Sequence, residues 1–355
     1  MTASRLPAAD LDHILAHTAD LWSALDGKRL FITGGTGFFG IWLLESLRHA
    51  RRSLGIDLQA TVLSRSPESF LQRFPEFGAE PAIQWLSGDV RHFAFPAGHF
   101  DCVIHAATET YARTPPTPPL AGFDSIVEGT RRVFDFALRC GASEVLLTSS
   151  GAIYGPQPTT LDHVPEDHRG APDCTSSAAL YGEAKRTAEL LAALYHEQHG
   201  LPVKIARCFA FVGPYLALDK HFAVGNFIAD ALHGRDIAIQ GDGTPLRSYL
   251  HAADLMIWLL TILLRGEALR PYNVGSDQAL SIAELAHVVS DTLPGRKPHI
   301  CIARTPEPDK RPIRYVPDIS RARQELGLAV RIPLGNAIQR TLDWHLQGKS
   351  SSSTS

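Results

Sequence analysis

Apolar positions along the chain change rhythm several times. In residues 8–25, Leu11, Leu15, Trp22 and Leu25 recur at roughly helical spacing, which predicts a helix ahead of the first strand. From Lys28 short apolar runs alternate with longer amphipathic ones. Runs at 29–33, 59–63, 101–105, 144–148 and 202–206 read as buried strands, and 38–52, 123–140 and 180–199 read as helices. This order predicts a doubly wound parallel sheet with helices on both faces. Segment 111–120 is proline-rich and reads as a rigid loop, and 156–177 as a polar one. After residue 213 the pattern loosens. Helices are expected near 222–233, 251–265, 281–292 and 333–346, with short strands too irregular to extend the parallel sheet cleanly. The serine-rich stretch 348–355 reads as a disordered tail.

Composition narrows the class. The chain has 355 residues, 45% of them hydrophobic and 20% charged, which is ordinary for a globular protein of one large or two medium domains. A net charge of -3 does not indicate nucleic-acid binding. Cys102, Cys140, Cys174, Cys208 and Cys301 are scattered and odd in number, which fits reduced thiols rather than disulfides or a metal site. His13 and His17 sit one helical turn apart, but no third ligand is evident, so they are expected on a solvated face and no metal is expected. No apolar run is long enough for a bilayer and no signal peptide is visible. A cytoplasmic location is the resulting expectation.

The sharpest local signals are two. Thr33-Gly34-Gly35-Thr36-Gly37-Phe38-Phe39-Gly40 joins the first strand to the first helix. Glycines at 34, 37 and 40 serve a tight turn, the approach of a pyrophosphate and close helix–strand packing, and the helix start offers N–H groups to phosphate. This is the Rossmann dinucleotide-binding arrangement. The second strand ends at Ser64-Arg65 with no acid before Glu68, so NADP is favoured and NAD is the alternative. Asp89, after the third strand, is placed to contact the adenine. The other signal is Tyr181-Gly182-Glu183-Ala184-Lys185. Residues four apart share a helix face, so Lys185 is expected to lower the Tyr181 pKa and make the phenol a base for an alcohol. Ser150, at the end of the 144–148 strand, supplies a hydroxyl.

In this order, these motifs and several landmarks make the chain resemble the extended short-chain dehydrogenase/reductase family, the nucleotide-sugar epimerases and dehydratases. The landmarks are Gly88-Asp89-Val90, His105-Ala106-Ala107, Gly129-Thr130, Ser149–Gly155, Gly213-Pro214, Gly241–Thr244 and Arg247–His251. The resemblance runs from about residue 28 to 327. It implies a Rossmann domain over 28–213 after an N-terminal extension (1–27), and a smaller α/β substrate-binding lid mainly over 214–347. It implies that Tyr181 accepts the proton, that Lys185 holds the nicotinamide ribose, and that Ser150 bonds the reacting sugar oxygen. Val90, Ala106 and Ala107 join the cofactor side, and Asn226 and Arg247 the substrate side, with Arg247 at the nucleotide diphosphate. It also implies a homodimer through helices 123–140 and 180–199.

Five positions depart from the family pattern. Dehydratases carry Thr-Asp-Glu where this chain reads Ser150-Gly151-Ala152, and uronic-acid decarboxylases often carry glutamate at the position of Ala152. Ile126 and Ala210 replace two asparagines. The expected activity is therefore a nucleotide-sugar epimerase acting at C4 through a transient 4-keto sugar. An NADPH-dependent 4-ketoreductase is the alternative. A non-catalytic dinucleotide sensor is a third, which loss of Tyr181 or Lys185 would have favoured, and neither is lost.

Overall fold

The computed structural model describes residues 5–108, 118–218, 222–293, 295, 297–309 and 311–352, with side chains to 347. Seven strands form one sheet: β1 (Arg29–Thr33), β2 (Gln59–Ser64), β3 (Ile83–Ser87), β4 (Cys102–His105), β5 (Glu144–Ser150), β6 (Val203–Cys208) and β7 (Pro271–Val274). Their order is β7-β6-β5-β4-β1-β2-β3, and every neighbouring pair is parallel. This is the doubly wound α/β arrangement. The order reverses between β1 and β4, where such sheets open a crevice at their strand ends.

Period-two alternation divides the core. Leu30 and Ile32 of β1 join the cluster of Trp42, Leu255 and Trp258, while Phe31 joins Val103, Phe134 and Ala188 on the other side. The helices Pro119–Cys140 and Leu180–His199 cover the second face together. The helix Ala252–Arg265 is buried almost all round, as an apolar helix held between layers must be.

Three expectations change. The parallel sheet does not stop before residue 213: β7 extends it beside β6, so the sheet draws strands from both parts of the chain. The stretch 8–25 is two helices, Ala8–His17 and Trp22–Leu25. Between them the Thr18 hydroxyl donates to Ile14 O and accepts from Trp22 Nε1 at 3.0 Å. His13 does not lie on a solvated face, since its Nε2 lies 3.0 Å from Oδ1 of the buried Asp254. His17 is exposed. Among the described residues no group of His, Cys, Asp or Glu could hold a metal, and no helix is long and apolar enough to cross a membrane. All five cysteines are free.

The later helices fall close to the expected ranges, at Ala223–Leu232, Ile282–Thr292 and Leu334–Ser352. Ser281 and Glu284 form a capping box at the second, which satisfies two otherwise orphaned donors. Short strands fill the space between, including Leu246–Arg247 paired with Arg314–Tyr315. The last helix runs past 346, into the range expected as a tail. The proline-rich loop lies outside the described residues up to 117.

Candidate active site

The glycine turn closes under β4. Gly34 has φ +77°, and a Cβ on it would stand 2.5 Å from the Ala106 carbonyl. Only a residue without a side chain fits both constraints. A Cβ on Gly40 would stand 2.3 Å from Gly35 Cα, so this glycine serves the close packing of the helix Phe38–Leu54 on the turn. Gly37 precedes that helix with no side-chain cap, which leaves its first N–H groups for a ligand. The turn opens on a cavity of about 480 Å³, lined among others by Thr36, Gly37, Ser64, Arg65, Asp89 and Ala106. Val90, Ala107 and Thr108 also line it, and the Thr108 hydroxyl is buried with no partner among the described residues. An orphaned buried hydroxyl and uncapped helix N–H groups fit a dinucleotide's phosphates and ribose. Phe38 and Phe39 line no part of this cavity and are partly buried against the core, with the Phe39 ring edge-on to Phe211 at 5.1 Å.

A hydrogen-bonded strap fixes the strand ends. Thr130 Oγ1 donates to Ile126 O at 2.6 Å, so it accepts from His105 Nε2 at 3.1 Å. His105 Nδ1 then accepts from Thr33 Oγ1 at 2.7 Å, and Ala107 N donates to that same oxygen at 3.1 Å. This order requires a neutral imidazole, and burial holds His105 down at about 3. The strap joins β1, β4 and the helix Pro119–Cys140 beside the phosphate turn. Nothing in local spacing announced it.

At the far end of the cavity, Ser64 and Arg65 are joined by Ser66, Ser69 and Arg73. Asp89 lines the cavity but is held by Arg91, whose Nε and backbone N donate to Oδ1 at 2.8 and 2.9 Å. The Arg91 hydrogen bonds keep the Asp89 carboxyl at about 2. Arg91 was missed from sequence.

Tyr181, Lys185 and Ser150 meet at the tip of β5. Lys185 is 3% exposed and its ammonium donates to Thr148 O at 2.8 Å. Burial pushes it down to about 8. Burial pushes the Tyr181 phenol up to about 12, and the Ser150 hydroxyl beside it acts the other way. The expected lowering by Lys185 is therefore not what the structure shows. Here burial dominates the phenol, and Lys185 is turned to the backbone of β5. A second tyrosine, unforeseen from sequence, stands in the same cluster: a Cβ on Gly151 would stand 2.8 Å from the Tyr315 oxygen.

On the substrate side, the guanidinium carbon of Arg247 lies 5.9 Å from the Tyr315 ring centre. Its NH1 donates to Leu246 O at 2.8 Å, and burial lowers its pKa. No carboxylate pairs with it among the described residues. A half-buried cation left in this state suits an anionic ligand. Asn226 lies exposed on the helix Ala223–Leu232. Ile126 is buried in the core and Ala210 O accepts from Leu250 N at 3.0 Å.

A dinucleotide-binding sheet with a tyrosine, lysine and serine at the tip of its fifth strand defines the class. A model of the NAD dependent epimerase/dehydratase family matches residues 30–275, and the chain belongs to that family. It is 29% identical over 309 residues to UDP-glucuronic acid decarboxylase 6 of Arabidopsis thaliana, covering 86% of this chain and 85% of the relative. It is 28% identical over 340 residues to a dTDP-glucose 4,6-dehydratase of Streptomyces antibioticus, covering 90% and 93%. The fold is similar to that of a dTDP-glucose 4,6-dehydratase from Streptomyces venezuelae solved with NAD bound, at TM-score 0.75 and 23% identity over 91% of this chain and 98% of that one.

Proposed function

We propose that the chain is an NAD(P)-dependent nucleotide-sugar epimerase acting at C4 through a transient 4-keto sugar. The observation that carries this reading is the placing of Ser150 at the end of β5 with Lys185 bonded to Thr148 O of the same strand end, in the sheet whose β1 and β4 ends line the dinucleotide cavity. The nicotinamide, when bound, would supply hydride transfer. Tyr181 takes the sugar hydroxyl proton, Ser150 orients that oxygen, and Lys185 holds the ribose. Arg247 takes the diphosphate. The relatives' names, which specify UDP-glucuronic acid and dTDP-glucose, support a nucleotide sugar. Gly151 and Ala152 offer no carboxylate, which favours epimerisation over loss of water or carbon dioxide.

A second reading, an NADPH-dependent 4-ketoreductase, is favoured by Ser64, Arg65, Ser66, Ser69 and Arg73 around the far end of the cavity. The same residues underlie a proposed preference for NADP. We also infer a homodimer through the helices Pro119–Cys140 and Leu180–His199, where Leu190 is 60% exposed. The test is incubation with UDP-glucose, UDP-galactose, UDP-glucuronic acid and dTDP-glucose, followed by proton NMR and absorbance at 340 nm. Epimerisation interconverts stereoisomers with no net cofactor change. Stoichiometric NADPH consumption with a 4-keto sugar would instead identify the reductase, and release of carbon dioxide or water would overturn both.

A further inference from the structure

We propose that Glu189 is a positioning residue of this site, acting through Ser149 to hold the end of β5 that presents Ser150 and anchors Lys185. The proposal rests on the nucleotide-sugar reading above and adds to it two residues that the Tyr-Lys-Ser pattern does not contain.

Glu189 follows Lys185 by one helical turn and Tyr181 by two on the helix Leu180–His199, and residues four apart share a helix face. Its carboxylate is gripped from two strands. Ser149 Oγ of β5 donates to Oε1 at 2.5 Å. Arg207 of β6 donates from Nε to Oε1 at 3.1 Å and from NH2 to Oε2 at 2.8 Å. Ser149 and Arg207 are register partners, so adjacent strands send neighbouring side chains to one carboxylate. Arg207 is itself fixed, since its NH1 donates to the Tyr154 hydroxyl and to Glu166 O, both at 2.8 Å.

Ser149 lies between the two groups that the chemistry uses. Before it, Thr148 O takes the Lys185 ammonium at 2.8 Å. After it comes Ser150, whose Oγ accepts from Ala152 N at 3.1 Å. One helix is thereby joined to one strand end at two points, Lys185 to Thr148 O and Glu189 to Ser149. A single link would leave a pivot, and the second removes it. Moving Ser149 turns the peptides on both of its sides, so it shifts the Lys185 anchor and the Ser150 hydroxyl together.

Stability alone does not call for a carboxylate here. Ser149 is 2% exposed, and the Arg207 and Glu189 side chains are 13% exposed each. A buried ion pair is often no more stabilising than apolar residues of the same volume. What the carboxylate adds is a fixed acceptor for the Ser149 hydroxyl, one residue from Ser150.

The variants are Ser149→Ala, Glu189→Gln and the two combined. Ser149→Ala leaves the ion pair whole and carries the test if Glu189→Gln does not fold. One cooperative thermal transition, with UDP affinity by calorimetry within about twofold of wild type, reports a folded protein whose substrate side is intact. The first readout is hydrogen exchange. The peptide over 149–154 should exchange roughly tenfold faster in each variant, and that over β2 as in wild type. The second readout is steady-state kinetics on whichever of the four nucleotide sugars named above wild type accepts. Turnover, kcat, should fall about 10–10²-fold with KM within about twofold, as displaced groups in a site that still binds require. The double variant should be no slower than the slower single variant, because both changes cut one link. A wild-type kcat in Ser149→Ala refutes the proposal whatever the exchange and leaves the nucleotide-sugar reading standing, and so do rate losses that multiply in the double variant. If wild type turns over none of the four sugars, that reading falls, and faster or unchanged exchange alone then upholds or refutes Glu189 as the hold on the strand end.

Discussion

Lys185→Met should make the protein more stable at neutral pH while it slows the reaction. The wild-type ammonium is 3% exposed and finds one hydrogen bond, 2.8 Å to Thr148 O. Burial holds it at about 8 instead of 10.5. Keeping it charged at pH 7 therefore costs on the order of 3 kcal/mol relative to the unfolded chain. Removing the side chain's charge also removes the hydrogen bond, worth about 1 kcal/mol, so the net gain is about 2 kcal/mol. At roughly 1–2 °C per kcal/mol for a chain of 355 residues, Tm should rise by about 2–4 °C. The pH dependence gives the sign check. The folded-state value is depressed, so between pH 8 and 10.5 the unfolded chain binds more protons, and wild-type stability rises with pH across that window. The variant lacks this rise, so its advantage is full below pH 8 and gone by about pH 10.5. Thermal and urea unfolding of both proteins at pH 7, 9 and 10.5 would measure it. A variant less stable than wild type at pH 7, or a gain that ignores pH, would refute the account of Lys185 as a costly buried cation kept for chemistry.

Three further outcomes follow from the site. Tyr181→Phe should keep NAD(P) affinity and fold, and should lose at least about 10²–10⁴ in rate, read from initial velocities on the nucleotide sugar that wild type accepts; near-normal turnover would dismiss Tyr181 as the base. Arg65→Ala should weaken NADP roughly tenfold or more and NAD little, since only NADP carries the 2′-phosphate; equal wild-type affinities for the two cofactors in a fluorescence titration would dispose of the preference. Arg247→Ala should cut UDP affinity about tenfold or more with NAD binding untouched, and an unchanged UDP dissociation constant by calorimetry would remove Arg247 from the diphosphate site.

What could be read in the sequence was what local geometry encodes. The phosphate turn needs eight consecutive residues in a strand–turn–helix context, and Tyr181 and Lys185 need one helical turn. Both are visible without knowing what packs on them. The C-terminal helices were legible from periodicity, although the last one extends further. β7 was not: it is four residues with the polar Asn273 inside it, too short to stand out from a loop. Its strand character comes from pairing with β6. The Thr33–His105–Thr130 strap and Tyr315 escaped for the same reason, since their partners lie far away in the chain. His13 was misplaced because its carboxylate, Asp254, is 241 residues distant.

These distant partners also explain why the surroundings of Ser150 cannot be assigned to one half of the chain. Ser149, next to Ser150, donates to Glu189, one turn beyond Lys185 on the same helix. Glu189 is gripped by Arg207 of β6 through Nε at 3.1 Å and NH2 at 2.8 Å. Arg207 NH1 donates to the Tyr154 hydroxyl at 2.8 Å, and that hydroxyl donates to Asn273 Oδ1 of β7 at 2.8 Å. Asn273 N in turn donates to Glu166 Oε1 at 2.9 Å. Each member is buried or nearly so, and leaving one such group unpaired costs about 1–3 kcal/mol. The tip of β5 is thus braced by β7, which enters the sheet only after the helix Ala252–Arg265, while Tyr315 reaches the same tip from still later in the chain. The tip of β5 is complete only when these late segments have docked, so the order of the sheet itself ties the two parts of the chain together.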